Sequence, residues 1–190
     1  MKEEFTDKKA AALQAALELI AEQGFHGAPM SQIAERAGIG VGTIYRYFAN
    51  KDDLINALYI EIKTRITRYV LEDYSEELPV REGFLRLFGG IVRYCAEHPA
   101  ELSFAEQYEN SPLITTATRE EGARLAGPLN NLFRRAASQG ILKELPPEMC
   151  AALIYGAVIS LVKLYLSGKV QMDDAGLDAG LKAIWDMIGR

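Results

Sequence analysis

A chain of 190 residues, 49% hydrophobic and 25% charged, can bury a sizeable core and is too apolar for a disordered segment. Its net charge of −5 excludes a protein that coats nucleic acid with a broad basic surface. The opening MKEEFTDKK has no apolar stretch of the kind a secretory signal needs, and the longest uncharged apolar run, Met149–Val162, has 14 residues where a membrane span needs about 20. A cytoplasmic protein is expected.

The chain reads as helix throughout. The first helix is predicted to start with Thr6 as N-cap, to face inward with Leu13, Ala16, Leu17 and Ile20, and to stop at Gly24. In the next, Met30, Ile33, Ala34 and Ala37 recur at i, i+3, i+4 and i+7, with Ser31, Gln32, Glu35 and Arg36 on the other side. Gly38 falls where a helix often ends in a left-handed residue, and Ile39 can plug the angle that follows. A second short helix anchors through Ile44 and Phe48 and turns Gly42, Thr43, Arg46 and Tyr47 outward, with Val41 and Tyr45 on its flanks. Two short helices about a glycine turn form the pattern of a helix-turn-helix, whose second helix lies in a DNA major groove. The outward residue types suit that surface: glycine allows close backbone approach, hydroxyls bond phosphate, and arginine reaches guanine edges or phosphate.

Asn50 should cap the following helix, with Asp52 and Asp53 complementing its dipole. Lys51 opposes that dipole, so it is expected to find an anion outside the chain, as a DNA phosphate would be. Leu54, Ile55, Leu58, Ile62, Ile66 and Tyr69 continue the helix without a linker, and a stiff helix can transmit displacement where a loose linker cannot. Pro79 opens a helix with Phe84, Leu87, Phe88, Ile91, Val92 and Cys95 apolar, ending near His98-Pro99. Another covers about 101–109 and closes at Asn110-Ser111-Pro112. One long helix is predicted from Ile114 to Ser138, kinked at Gly127-Pro128 and ended by Gly140.

The last two helices, about 148–167 and 174–188, suggest association. Ala152, Gly156 and Ser160 make a smooth strip beside Leu153, Ala157, Leu161 and Leu164, so the first of the pair is expected to be buried on most sides. Leu177, Leu181, Ile184, Trp185 and Ile188 face one way on the second. Together the pair could form an isologous four-helix interface, with Ala152, Gly156, Ser160, Leu177, Leu181, Ile184 and Trp185 at the contact; the plain alternative is closure of a monomeric core. Aromatic residues are abundant in the same region, and Phe84, Phe88, Tyr94, Phe104, Tyr108, Phe133 and Tyr155, with Glu106 as a polar member, are candidates to line a ligand pocket.

Little points to an enzyme. Cys95 and His98 form a C-x-x-H pair, but only Cys150 and His26 remain to complete a metal site, so no metal or cofactor is expected. Neither histidine has a recognisable nucleophile motif, and no glycine-rich phosphate loop occurs. Residues 1–60 hold six basic against eight acidic residues, yet Arg36 to Lys51 holds three basic residues and no acid. The electrostatic footprint should therefore be narrow.

The run Ile33-Ala34, Ala37-Gly38-Ile39, Gly42-Thr43-Ile44-Tyr45-Arg46-Tyr47-Phe48 and Asn50-Lys51-Asp52-Asp53-Leu54 resembles the DNA-binding domain of TetR/AcrR-family transcriptional regulators, and Gly24-Phe25 resembles the end of that family's first helix. The likeness covers about the first 55 residues; the rest is similar in its all-helical layout alone. It implies an all-α fold, with a three-helix helix-turn-helix domain over 1–55 joined by a long helix to a ligand-binding and dimerisation domain over 56–190. It further implies that Thr43, Tyr45 and Lys51 grip phosphates, that Val41, Gly42, Arg46 and Tyr47 face the groove, and that Ser31 is another contact. Pro29 departs from the threonine frequent at its position and has no hydroxyl or N–H to offer. The expected function is a repressor bound as a homodimer to a pseudo-palindromic operator of double-stranded DNA and released by a small-molecule inducer. A helical protein-interaction module, or an activator without inducer, is the alternative.

Overall fold

The computed structural model describes residues 2–109 and 111–190, with side chains from residue 7 onward. Ten helices occur among the described residues: α1 (Lys2–Gln23), α2 (Met30–Arg36), α3 (Val41–Tyr47), α4 (Lys51–Leu71), α5 (Val80–Glu97), α6 (Pro99–Tyr108), α7 (Thr116–Leu125), α8 (Gly127–Ser138), α9 (Pro147–Leu166) and α10 (Asp174–Ile188). The only extended pairing among them is a single bridge between Leu142 and Gly189. The fold is all-α.

Two compact units emerge from the packing. The first comprises residues 1–63 and 100–122, the second 64–99 and 123–190. Helix α4 is unbroken, with Lys51–Lys63 in the first unit and 64–71 in the second.

In the first unit, Ala12, Leu13, Ala16, Leu17 and Ile20 of α1 are buried together with Ile33 and Ala34 of α2, Ile44 of α3, and Leu54, Ile55, Leu58 and Ile62 of α4. Most of the expected inner stripe is thus buried; Ala37 at the end of α2 and Ile66 and Tyr69 farther along α4 are half-buried. Helix α1 begins at Lys2, before the expected Thr6, whose side chain lies outside the described ones, as does Asn110. Asn50 caps α4: its Oδ1 accepts from the Asp53 N–H at 2.8 Å.

In the second unit, α5 is the central helix, in contact with α8, α9 and α10. Phe84 is fully buried, its ring 4.4 Å from Phe88 and 5.1 Å from Trp185 between centroids. Gly90 lets α5 approach α4 closely, since a Cβ there would sit 3.0 Å from Val70 Cγ1. The long helix predicted from Ile114 to Ser138 is two helices. Ala126 separates α7 from α8, with Pro128 in the first turn of α8, where a missing N–H removes no helical bond. Helix α6 begins at Pro99, a little ahead of its predicted start, for the same reason.

A further correction concerns α9. It is apolar around most of its circumference, yet Met149, Leu153, Tyr155, Leu164 and Leu166 are 37–51% exposed, and Ala152, Gly156 and Ser160 are exposed too. Only Cys150, Ile154, Val158, Val162 and Tyr165 turn into the core. Helix α9 is long and apolar enough to cross a membrane by composition, although its buried face packs in a protein core.

Candidate nucleic-acid interface

The interface candidate is built by α2, α3 and the start of α4. Helix α2 starts from Pro29 (φ −69°, ψ 153°), which supplies no side-chain cap, and Ser31 is exposed in its first turn. Gly38 ends the helix with φ +65°, and the Ile39 N–H donates back to the Ala34 carbonyl at 3.0 Å. A residue with a Cβ would be strained at Gly38, so this glycine sets the angle between the two helices.

Helix α3 is held by Ile44, fully buried, and by Phe48 just past its end. With these turned inward, Val41 and Tyr45 are 47% and 50% exposed, Gly42 and Arg46 are exposed, and Thr43 and Tyr47 are half-buried. A Cβ at Gly42 would meet nothing within 4 Å, so packing within the chain does not account for that glycine. The structure thus brings Val41, Gly42, Tyr45 and Arg46 to one open face, with Ser31 on the neighbouring helix and Thr43 and Tyr47 at the edges.

Arg36 and Lys51 have partners within the chain. The Arg36 guanidinium donates to Glu22 on α1 at 2.6 Å, and this bond lowers the Glu22 pKa and raises that of Arg36. Lys51, expected to meet an anion outside the chain, also has a partner within it. Its Nζ donates to the Phe25 carbonyl and lies 4.1 Å from the Phe25 ring centroid. Burial lowers the Lys51 pKa, and Asp52 offsets part of that effect. Neither engagement was legible, because both partners lie more than a dozen residues away on α1 or in the turn after it.

The other expected sites change more. Leu177, Leu181, Ile184 and Trp185 are not an open partner surface: all four are at most 7% exposed, packed inside the second unit. Phe104 and Tyr108 belong to the first unit; Phe84, Phe88, Tyr94, Phe133 and Tyr155 belong to the second, where Phe84, Phe88 and Tyr94 are core and Tyr155 is exposed. Glu106 is half-buried, whereas Glu101 is the buried acid of α6. An open cavity of about 780 Å³ in the second unit borders Phe133, Leu142, Leu145 and Cys150, with Arg134 and Lys143 among its polar members. Both cysteines are buried free thiols, and burial raises the Cys150 pKa, which makes it a poor nucleophile at neutral pH. No cluster of metal-ligating side chains occurs among the described residues.

An all-helical protein with a two-helix reading head about a left-handed glycine, and a second helical unit, belongs to the class of helix-turn-helix DNA-binding regulators. Comparison with known proteins gives the family. Residues 12–58 match "Bacterial regulatory proteins, tetR family" and residues 59–189 match "Tetracyclin repressor-like, C-terminal domain". The fatty acid metabolism regulator protein of Bacillus subtilis (strain 168) is 40% identical over 166 residues, covering 85% of this chain and 84% of that protein. A TetR family transcription regulator from Marinobacter aquaeolei VT8 has the same fold, with a TM-score of 0.92 at 23% identity over 100% of this chain and 99% of that one. FadR from Bacillus subtilis, solved in complex with stearoyl-CoA, shares the fold with a TM-score of 0.68 at 23% identity, over 94% and 96% of the two chains. This chain belongs to the tetR family of bacterial regulatory proteins.

Proposed function

We propose that this protein is a ligand-responsive repressor that binds a pseudo-palindromic operator as a homodimer and leaves it when a small molecule binds the second unit. The observation that carries the reading is the pairing of an open reading face on α3 with an apolar face of α9 that the chain itself does not cover. Val41, Gly42, Tyr45 and Arg46, with Ser31, Thr43, Tyr47 and Lys51 around them, offer one half-site contact. One such contact is small and carries few cations, so useful affinity needs two copies whose spacing matches one helical turn of DNA or a multiple.

The α9 face supplies the means of pairing. Met149, Leu153, Tyr155, Leu164 and Leu166 are large and exposed, while Ala152, Gly156 and Ser160 provide a smooth strip for a second helix. In this reading the α10 residues back α9 from within the protomer. Room for an effector is available in the cavity of about 780 Å³, a size suited to a small molecule. The name of the 40% identical relative directs the first effector screen to fatty-acid derivatives.

The test is selection of bound duplexes from random DNA by the purified full chain, followed by release assays with acyl-CoA thioesters and a general compound set. Enrichment of an inverted repeat, with two chains per bound duplex, supports the reading. Selection that enriches no sequence, or binding indifferent to salt, refutes it.

A further inference from the structure

The open face of α3 carries one side chain that can make no hydrogen bond to DNA. Ile44 turns inward, so Val41 and Tyr45, one turn apart, are both exposed on the same face. Thr43, Tyr45 and Tyr47 have hydroxyls and Arg46 a guanidinium, each able to bond a phosphate or a base edge. Val41 has neither donor nor acceptor in its side chain.

A lone exposed valine is ordinary on a protein surface. What distinguishes Val41 is its setting between Gly40 and Gly42. A Cβ at Gly42 would meet nothing within 4 Å, and one at Gly40 would meet Thr43 Oγ1 alone, at 3.7 Å. Neither glycine has a positive φ, so neither backbone geometry nor packing within the chain demands a glycine there, and Gly42 weakens the helix it sits in. The two leave the Val41 isopropyl group standing between bare stretches of backbone, where a surface from outside can close on it. Branching at Cβ fixes its rotamer, so little freedom is lost on contact.

The base edges on the floor of a major groove present donors and acceptors, and the one apolar group among them is the thymine C5-methyl. Pressing an isopropyl group onto any other edge would strip water from polar atoms and return no hydrogen bond. From Arg36 to Lys51 there is no acid to repel the phosphates on either side. We infer that Val41 reads a thymine methyl in each half-site, with Gly40 and Gly42 letting the backbone approach closely enough for that contact. The inference deepens the DNA-reading assignment proposed above and rests on it. Its rival is that Val41 packs on deoxyribose, which every sequence offers.

The test uses the purified full chain and a duplex that it selects from random DNA. Each thymine is replaced in turn by deoxyuridine, which removes the methyl and leaves base pairing and every hydrogen-bonding group in place. At fixed salt, one thymine per half-site should lose about fourfold in affinity when replaced, the factor for one buried methyl group, and the pair together about fifteenfold. Val41→Ala should weaken binding to the thymine duplex and abolish the thymine–uracil difference at that position. Its side chain lies outside the core, and circular dichroism checks that the helices are retained. Uracil tolerated at every position, or a uracil penalty unchanged in Val41→Ala, would overturn the inference and leave the DNA-reading assignment standing. If the chain selects no duplex, that assignment falls and the inference with it.

Discussion

If the protein pairs through α9 as proposed, Leu153→Asp should split the dimer while leaving the protomer folded. Leu153 is 40% exposed on the uncovered face of α9. A leucine so placed offers on the order of 70 Å² of apolar surface, and an isologous contact uses it twice, so about 140 Å² at about 25 cal/mol/Å² gives ~3.5 kcal/mol. At about 1.4 kcal/mol per tenfold, the dimer dissociation constant should rise by a factor of about 300, and two carboxylates brought near a symmetry axis would add to that. Sedimentation velocity from nanomolar to tens of micromolar reads the shift, and circular dichroism confirms the helices. Leu181→Asp is the contrast. Leu181 is 3% exposed in the core of the second unit, so its replacement by a charge should unfold the chain rather than dissociate it. A wild type that sediments as a monomer at micromolar concentration, or a Leu153→Asp protein as dimeric as the wild type, would refute the reasoning.

Other outcomes follow from single positions. Gly38→Val should cost about 1–2 kcal/mol or more in urea unfolding, because φ is +65° there and a β-branched residue resists that region, and it should abolish DNA binding by misaligning α3. Arg46→Ala should weaken duplex binding and reduce the salt slope by about one per protomer, the signature of a lost phosphate contact; an unchanged slope with altered sequence preference would assign Arg46 to base edges instead. Burial pushes the Tyr108 pKa up to about 12, whereas an unfolded tyrosine ionises near 10. Between those values the unfolded chain has lost a proton that the folded one retains, so this contribution to stability is complete below about pH 10 and is lost as pH rises through about 12. Tyr108→Phe should remove that part of the alkaline decline in urea titrations from pH 8 to 12.

The reading head was legible because its signals are local. Ile33, Ala34, Ile44 and Phe48 obey helical spacing within a short stretch, Gly38 occupies the turn, and Asn50 lies three residues before the N–H it caps. What sequence spacing could not supply was the partner of a side chain from elsewhere in the chain. Glu22 for Arg36 and Phe25 for Lys51 are tertiary contacts, and a polar side chain has no periodicity that reveals them. One signal was available and unused: Asn56, a poor helix former in an otherwise apolar stretch of α4, marks the residue that clips the 113–115 backbone. The terminal helices show a different limit. Apolar stripes on α9 and α10 look equally fit to meet a partner, and only packing decides that α10 is buried in its own core while part of α9 remains uncovered.

Of the three cations between Arg36 and Lys51, Arg36 is neutralised by Glu22 and Lys51 is drawn to Phe25, so the formal charge of the segment overstates what reaches a phosphate. If this face reads DNA as proposed, much of the grip should fall on hydroxyls and backbone N–H groups, which bond phosphate without releasing many counterions. Neutral contacts of that kind are short-ranged and demand accurate placement, which gives the Gly38 turn, the Asn50 cap and the Lys51 contact with Phe25 more importance than they would have under a strongly basic helix. In the proposed dimer, two heads with such contacts would also make binding sensitive to their separation. If the protein is the two-headed repressor proposed above, little force should release it, because a small change in spacing forfeits one half-site and a single head holds DNA poorly.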